Sequence, residues 1–422
     1  MVAAGVLLLL PALLHGASLG PFDWLSGQGL SSRSGVVVHN RQTFDQITEM
    51  VPWGALDWTQ VHSGHLPLWN PYEALGMPLA FNWQSAPFGL STLISYLFPL
   101  RLAFTVCVVS TIAIAGTGVY VLSRMLRLGV IGAVTAATVF ELSGPFVAWL
   151  GWPLAGVTAW SGWLFAAALA VVRGRRRVKA ITAFALATAA ATYAGQPEAL
   201  VLLAFVLLVF VAALLLLRIR SFGGNGPILR PALDTVVGTV AGAALAAPLL
   251  LPGVELLSRS VRTSKAGNQA LPLGAVIQLT TQGYDGLPVA GSHFFGPSFY
   301  LRTAVYLGVI ALALAVVGAA VALKYWRARP GLVALLAVLI VATAFVFVPA
   351  LDALFGSIPR FGDVLWRREA LLMAMAFAVL AGAGADIVID YGQRSRLRAG
   401  AAASFLAAGV VVLVWWAVGR GD

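Results

Sequence analysis

Apolar residues in this chain fall in long uninterrupted runs, and the polar and charged residues collect between them. A helix needs about 20 apolar residues to cross the hydrocarbon core of a bilayer. Runs of that order can be drawn at Val2 to Gly20, Leu102 to Ser123, Gly129 to Leu150, Pro153 to Val172, Ala180 to Gly195, Ala199 to Leu217, Leu233 to Leu257, Ala304 to Leu323, Gly331 to Ala350, Ala370 to Ile389 and Ala399 to Gly419. The pattern predicts an all-α, polytopic membrane protein with about 11 transmembrane helices in a single integral membrane domain. Gly89 to Leu100, bounded by Pro87 and Pro99, is too short to span and reads as an interfacial or re-entrant helix. Three polar segments remain: residues 21–101, 258–303 and 351–368.

Composition agrees with this class. Hydrophobic residues make up 60% of the chain, charged residues 10%, and the mean hydropathy is +0.89. The net charge of +11 would suggest nucleic acid in a soluble protein, but the placement of the bases explains it otherwise. Arg124 and Arg127; Arg173, Arg175, Arg176, Arg177 and Lys179; Arg218, Arg220 and Arg230; Lys324, Arg327 and Arg329; and Arg394, Arg396 and Arg398 fall in alternate short loops, which hold 16 of the 27 Lys and Arg. The positive-inside rule then places the N-terminus in the cytoplasm and the three long polar segments and the C-terminus outside.

Candidate chemistry concentrates in the outer segments. Cys107 is the single cysteine, so neither a disulfide framework nor a cysteine metal site is expected, and no phosphate loop, zinc-protease helix or serine elbow is present. The stretch Arg41 to Pro87 carries Asp45, Glu49 and Asp57, the aromatic and amide residues Trp69, Asn70, Tyr72 and Gln84, and the histidines His62 and His65. Two histidines without placed carboxylate partners predict no protein-held metal, although a divalent ion bridging Asp45 and a phosphate is chemically reasonable. The other outer regions add Gln196 and Glu198, Arg259, Arg262 and His293, and Arg367 and Arg368. Carboxylates and arginines at a lipid–water boundary suit an anionic lipid: guanidinium groups grip phosphate, and an acid takes the proton of an acceptor hydroxyl. Each group also has a plainer reading, as helix-surface acids, interfacial aromatic residues or snorkelling arginines.

Phe44-Asp45, Pro52-Trp53, Gly64-His65-Leu66-Pro67-Leu68-Trp69-Asn70-Pro71-Tyr72, Gly76-Met77-Pro78 and Asn82-Trp83-Gln84-Ser85 together resemble the first extracytoplasmic loop of the YfhO-type bacterial membrane proteins. The resemblance continues at Leu142 to Phe146, Ala194 to Glu198, Gly296 to Gly308, and Trp366 to Arg368 leading into Phe377 to Gly384. It departs at Gln196, where the family has histidine, and at the unusual acid Glu141. The resemblance implies a GT-C-like fold in the bacterial plasma membrane. The implied activity is a glycosyltransferase that takes a sugar from a polyprenyl-phosphate donor to an outer-face cell-envelope glycan or lipid acceptor, with Asp45 as catalytic base. Glu141 and Glu198, each in or at the end of an apolar run, support the alternative of a lipid-carrier transporter or flippase. A chain shorter than typical family members suits a third reading, a non-catalytic accessory subunit.

Overall fold

The computed structural model describes residues 2–14, 19–27, 32, 34–221, 228–260, 270–296, 300–358 and 361–394. Apart from a two-stranded hairpin, its regular structure is helical. In chain order the helices are α1 (Val2–Leu14), α2 (Val51–His62), α3 (Leu90–Ser95), α4 (Leu100–Met125), α5 (Val130–Glu141), α6 (Gly144–Ala148), α7 (Pro153–Ala159), α8 (Ser161–Arg173) and α9 (Arg177–Tyr193). They continue as α10 (Pro197–Ser221), α11 (Leu229–Leu245), α12 (Ala247–Arg259), α13 (Tyr300–Thr303), α14 (Val309–Lys324), α15 (Pro330–Phe347), α16 (Pro349–Gly356) and α17 (Ala370–Arg394). Between α2 and α3 lies the antiparallel pair β1 (Trp69–Asn70) and β2 (Met77–Pro78).

The chain is a multi-pass helical membrane protein, with fewer full-length crossings than the apolar runs predict. Among the described residues five segments are long and apolar enough to cross: Leu100–Met125, Pro153–Arg173, Pro197–Arg218, Pro330–Phe347 and Trp366–Asp390. Counting the bent pair α11 and α12 as one span makes six. The expectation of about 11 is corrected for local reasons. The run Gly129 to Leu150 breaks after Glu141, where Ser143 turns extended and Pro145 opens α6 at its first turn. The run Leu233 to Leu257 bends by 79° at Ala246, just before Pro248. Ala304 to Leu323 begins as irregular chain and becomes helical only after Gly308, leaving 16 residues in α14. The described part of Val2 to Gly20 forms 13 residues of helix, and Ala399 to Gly419 lies outside the described residues.

At the centre of the bundle, α17 is buried on every face from Ala370 to Ala385. Lipid is as apolar as leucine, so helices in a bilayer associate through close backbone packing. The sequence supplies small residues where α17 needs them. A Cβ added to Gly318 of α14 would lie 2.0 Å from the Leu380 carbonyl oxygen, and one added to Gly384 would lie 1.9 Å from that of Leu314. Against α5, Asp386 accepts hydrogen bonds from the backbone N–H groups of Gly129 and Gly132, neutralising two donors left open by the first helical turn. On the other side of the bundle Arg177 forms a forked pair with Asp234, joining α9 to α11.

The three polar segments fold onto this bundle, and the first two onto each other. In the first, Gln46 donates to the Leu150 carbonyl (2.8 Å), and the Trp83 ring packs where α12 has Gly253. Residues of the second bridge the first, as Ala290 N–H donates to His39 O and Asn40 pairs with Val289. The third is pinned by Trp366, whose ring stands 4.9 Å from both Phe345 and Phe355 and stacks on Phe361.

Candidate functional site

Helix α2 is the organising element of the first outer segment. It follows a π-helical turn, Gln46–Met50, and turns of this type recur at functional sites. Asp45 stands at the start of that turn with right-handed helical backbone, caps nothing with its side chain and is exposed. Glu49, one turn on, is half-buried; burial first, then the negative charges of Asp45 and Glu73, push its carboxyl above the ordinary glutamate range. These three acids form one electrostatic neighbourhood.

Two cavities open on different faces of α2, and Ala55 lines both. The first, of about 330 Å³, lies between α2, α3, α4 and the α6–α7 turn. Its walls are largely apolar, with Met50, Val51, Phe104, Val108 and Trp152. Ser91, Thr92 and Thr111 contribute hydroxyls, and Gln84 and Arg101 complete the lining. Arg101 is exposed and forms no ion pair among the described residues. The second cavity, of about 530 Å³, is lined by Thr48, Pro52, Trp53, Leu56, Thr59, Asn70, Tyr72 and Glu73.

The hairpin that closes the second cavity is held by backbone geometry. Trp69 pairs with Pro78 and Asn70 with Met77, and the chain between them places Ala74, Leu75 and Gly76 in succession at positive φ (50°, 64° and 108°). Two adjacent non-glycine residues in that region are strained, and a side chain at Gly76 would meet the Trp69 ring at 2.8 Å. The strain is compensated at Glu73. Its Oε2 accepts from the Trp53 indole N–H (2.8 Å) and from Asn70 Nδ2 (3.1 Å), while Asn70 Oδ1 accepts from Tyr72 N–H.

The structure gathers some of the sequence candidates and separates others. Asp45 and Glu49 lie together, Asn70 and Tyr72 line the second cavity, and Gln84 lines the first. Trp69 is exposed beside the hairpin turn, and Gln196 sits at positive φ (50°) in the turn before α10. Glu198 and Arg368 meet each other: Arg368 Nη1 lies 2.6 Å from Glu198 Oε2, and its guanidinium rests 4.8 Å over the Trp149 ring. Glu198 also accepts from Leu365 N–H at 2.8 Å, and Arg367 is buried beside this pair in the chain. None of these three lines either cavity. Arg259 pairs with Glu255 one turn away on the exposed side of α12, His293 is exposed in the second outer segment, and Arg262 lies outside the described residues. Glu141 is buried in the bundle, where its Oε2 accepts from Gly5 N–H.

Asp57 occupies the buried face of α2 with no accessible surface, and among the described residues neither carboxylate oxygen has a hydrogen-bond partner. Burial pushes its pKa well above the ordinary aspartate range, and burial followed by the nearby Asp57 and Cys107 pushes the Tyr96 phenol up as well. The folded chain therefore keeps the Asp57 proton to higher pH than the unfolded chain, and stability falls as pH rises between the two values. The expected result is a thermal midpoint that declines from acid to neutral pH in the native protein and declines less in Asp57→Asn, which mimics the protonated acid. An identical pH slope in the two proteins would show that Asp57 is not the titrating group.

Sequence reading missed two residues of these cavities. Glu73 directly follows the Pro-Leu-Trp-Asn-Pro-Tyr block, where it is the sole acid nearby, and Arg101 is a base in the first turn of α4, at the opposite end of that helix from Arg124. Both signals were available in composition alone. Among the described residues no group of three His, Cys, Asp or Glu is arranged to hold a metal ion. His62 instead stacks on Trp58 with ring centroids 3.6 Å apart. No family model matches the chain, and no curated protein matches it.

Proposed function

We propose that this protein is an outer-face glycosyltransferase of GT-C type, which takes a sugar from a polyprenyl-phosphate carrier and passes it to a hydroxyl of a cell-envelope acceptor. The observation that carries the reading is the pairing of a mainly apolar cavity, with Arg101 in its wall, and an acidic helical turn on the same helix. An isoprenoid chain suits the apolar walls, and the guanidinium of Arg101 suits the carrier phosphate. Arg101 takes this role in place of Arg367, which is buried, and Arg368, which is held on Glu198; neither lines either cavity.

In the proposed reaction Asp45 accepts the proton of the acceptor hydroxyl as its oxygen bonds to the anomeric carbon. The bond from that carbon to the phosphate oxygen breaks, and its electron pair leaves with the polyprenyl phosphate, whose charge Arg101 offsets. A phosphate needs little acid assistance to depart, so the step calls for no protein-held metal. The cavities lie at the end of the bundle opposite the basic ends of α4 and α8, Arg124 and Arg173, which supports an orientation with the cavities outside.

The test is sugar transfer by the reconstituted protein from a panel of polyprenyl-phosphate sugars. Turnover that Arg101→Gln weakens through KM for the donor supports the reading. Saturable polyprenyl-phosphate binding without transfer or donor hydrolysis would replace it with a carrier transporter or an accessory subunit, since the apolar cavity suits those equally.

A further inference from the structure

The second cavity has a chemistry of its own. Its lining combines a carboxylate, a carboxamide, two threonine hydroxyls, a buried indole and an exposed phenol ring, with no lysine or arginine. Glu73 is built into the wall: both inward hydrogen bonds, from Trp53 and Asn70, end on Oε2. Among the described residues no donor reaches Oε1, which leaves that oxygen as an oriented acceptor for whatever enters. Tyr72 is 86% exposed at the rim, a ring with its faces uncovered. The strained turn at Ala74 and Leu75 follows directly, and Glu73 is tied to α2 through the Trp53 indole.

This arrangement selects among ligand classes. The charges of Glu73, Glu49 and Asp45 repel an anion, so the phosphate end of a lipid carrier is disfavoured here. A purely apolar ligand would strip water from the Glu73 carboxylate without replacing it. A sugar offers hydroxyl donors to a fixed acceptor and an apolar ring face to an aromatic side chain, and a cleft of about 530 Å³ is of the size that holds small ligands. We propose that the cleft between α2 and the β1–β2 hairpin is a binding subsite for a neutral, hydroxyl-rich sugar, with Glu73 Oε1 accepting its hydroxyl hydrogen bonds and Tyr72 stacking on its ring. That this sugar is the acceptor rests on the glycosyl-transfer reading above; the subsite itself does not.

The experiment is saturation-transfer NMR on the detergent-solubilised full chain with a panel of neutral methyl glycosides, with methyl phosphate and glucosamine alongside. Glu73→Gln is the decisive variant. Its amide oxygen keeps both inward hydrogen bonds while its NH2 takes the place of the second carboxylate oxygen, so the fold is retained and the charged acceptor for the sugar hydroxyls is lost. The expected result is saturable binding of at least one neutral glycoside, weakened about tenfold or more in Glu73→Gln. Glu255→Gln, an exposed acid on α12, should leave it unchanged. Should Glu73→Gln fail to fold, Tyr72→Ala removes a ring that is almost wholly exposed and is expected to weaken the same binding severalfold. Binding confined to methyl phosphate or glucosamine, or glycoside binding indifferent to both variants, overturns the proposal. Glycoside binding that depends on Glu73, without transfer from any donor, keeps the subsite and removes the glycosyltransferase reading. Transfer with unchanged acceptor KM in Glu73→Gln does the reverse.

Discussion

Asp45→Asn is expected to lower sugar transfer by roughly 10²–10⁴-fold, the usual contribution of a positioned general base, while leaving expression, topology and thermal midpoint near those of the native protein. The structural half of this expectation follows from the position. Asp45 is exposed, makes no cap hydrogen bond at the start of the π turn, and is replaced by a side chain of the same shape. Surface changes of this kind usually move stability by about 0.5 kcal/mol or less. The chemical half follows from what asparagine cannot do, which is accept a proton at neutral pH. Glu49 is the internal competitor. It stands one turn along the same helix, is half-buried, and is held above the ordinary glutamate range by burial and by two neighbouring carboxylates. Steady-state transfer rates for Asp45→Asn and Glu49→Gln, measured side by side, decide between them. A large loss in Glu49→Gln with near-native rates in Asp45→Asn would move the base one turn toward α2.

The helical membrane class was legible because it depends on unbroken apolar runs, and every described run contains a helix. Crossing number was less legible because length is a property of the run, whereas continuity is decided by single positions within it. Pro145 divides one run into α5 and α6, and the break at Ala246 before Pro248 folds another through 79°. Prolines of this kind are tolerated inside membrane helices when neighbouring groups satisfy the freed backbone, so the letter alone does not say whether a helix bends, breaks or continues.

The gathering of polar residues beside α2 was legible in the sequence, and their partnerships were less so. Asp45, Glu49, Asn70, Tyr72 and Gln84 fall in one polar segment of the sequence; in the fold Asn70, Tyr72 and Gln84 line the two cavities beside α2, while Asp45 and Glu49 lie in the turn before that helix and line neither. Glu73 was overlooked because its importance comes from Trp53, 20 residues earlier, and from a turn whose positive φ angles at Ala74 and Leu75 have no glycine to announce them. Glu198 and Arg368 were read as separate ligands for a substrate. Their separation of 170 residues hides the fact that each is the other's counter-ion.

That pair gives the second large expected effect. Arg368→Met should destabilise the fold by roughly 3–5 kcal/mol, the cost typical of removing one partner from a shielded ion pair. Both side chains are largely shielded, at 13% and 5% relative exposure, and the guanidinium also lies over Trp149, so the variant loses a cation–π contact as well. Glu198→Gln should cost less, because Arg368 keeps its place on the indole and glutamine can still accept from Leu365 N–H. Combining the two changes should recover part of the loss, since the double variant removes both charges of the pair; the coupling is read as the difference between the double and the sum of the singles. Thermal midpoints of the four proteins in one detergent supply the cycle, and polyprenyl-phosphate binding measured on the same samples supplies a second axis. An arginine that gripped the carrier would lose lipid affinity at unchanged stability on substitution. The ion pair of this fold predicts the opposite: stability falls in Arg368→Met, and any lipid affinity of the folded fraction stays near that of the native protein.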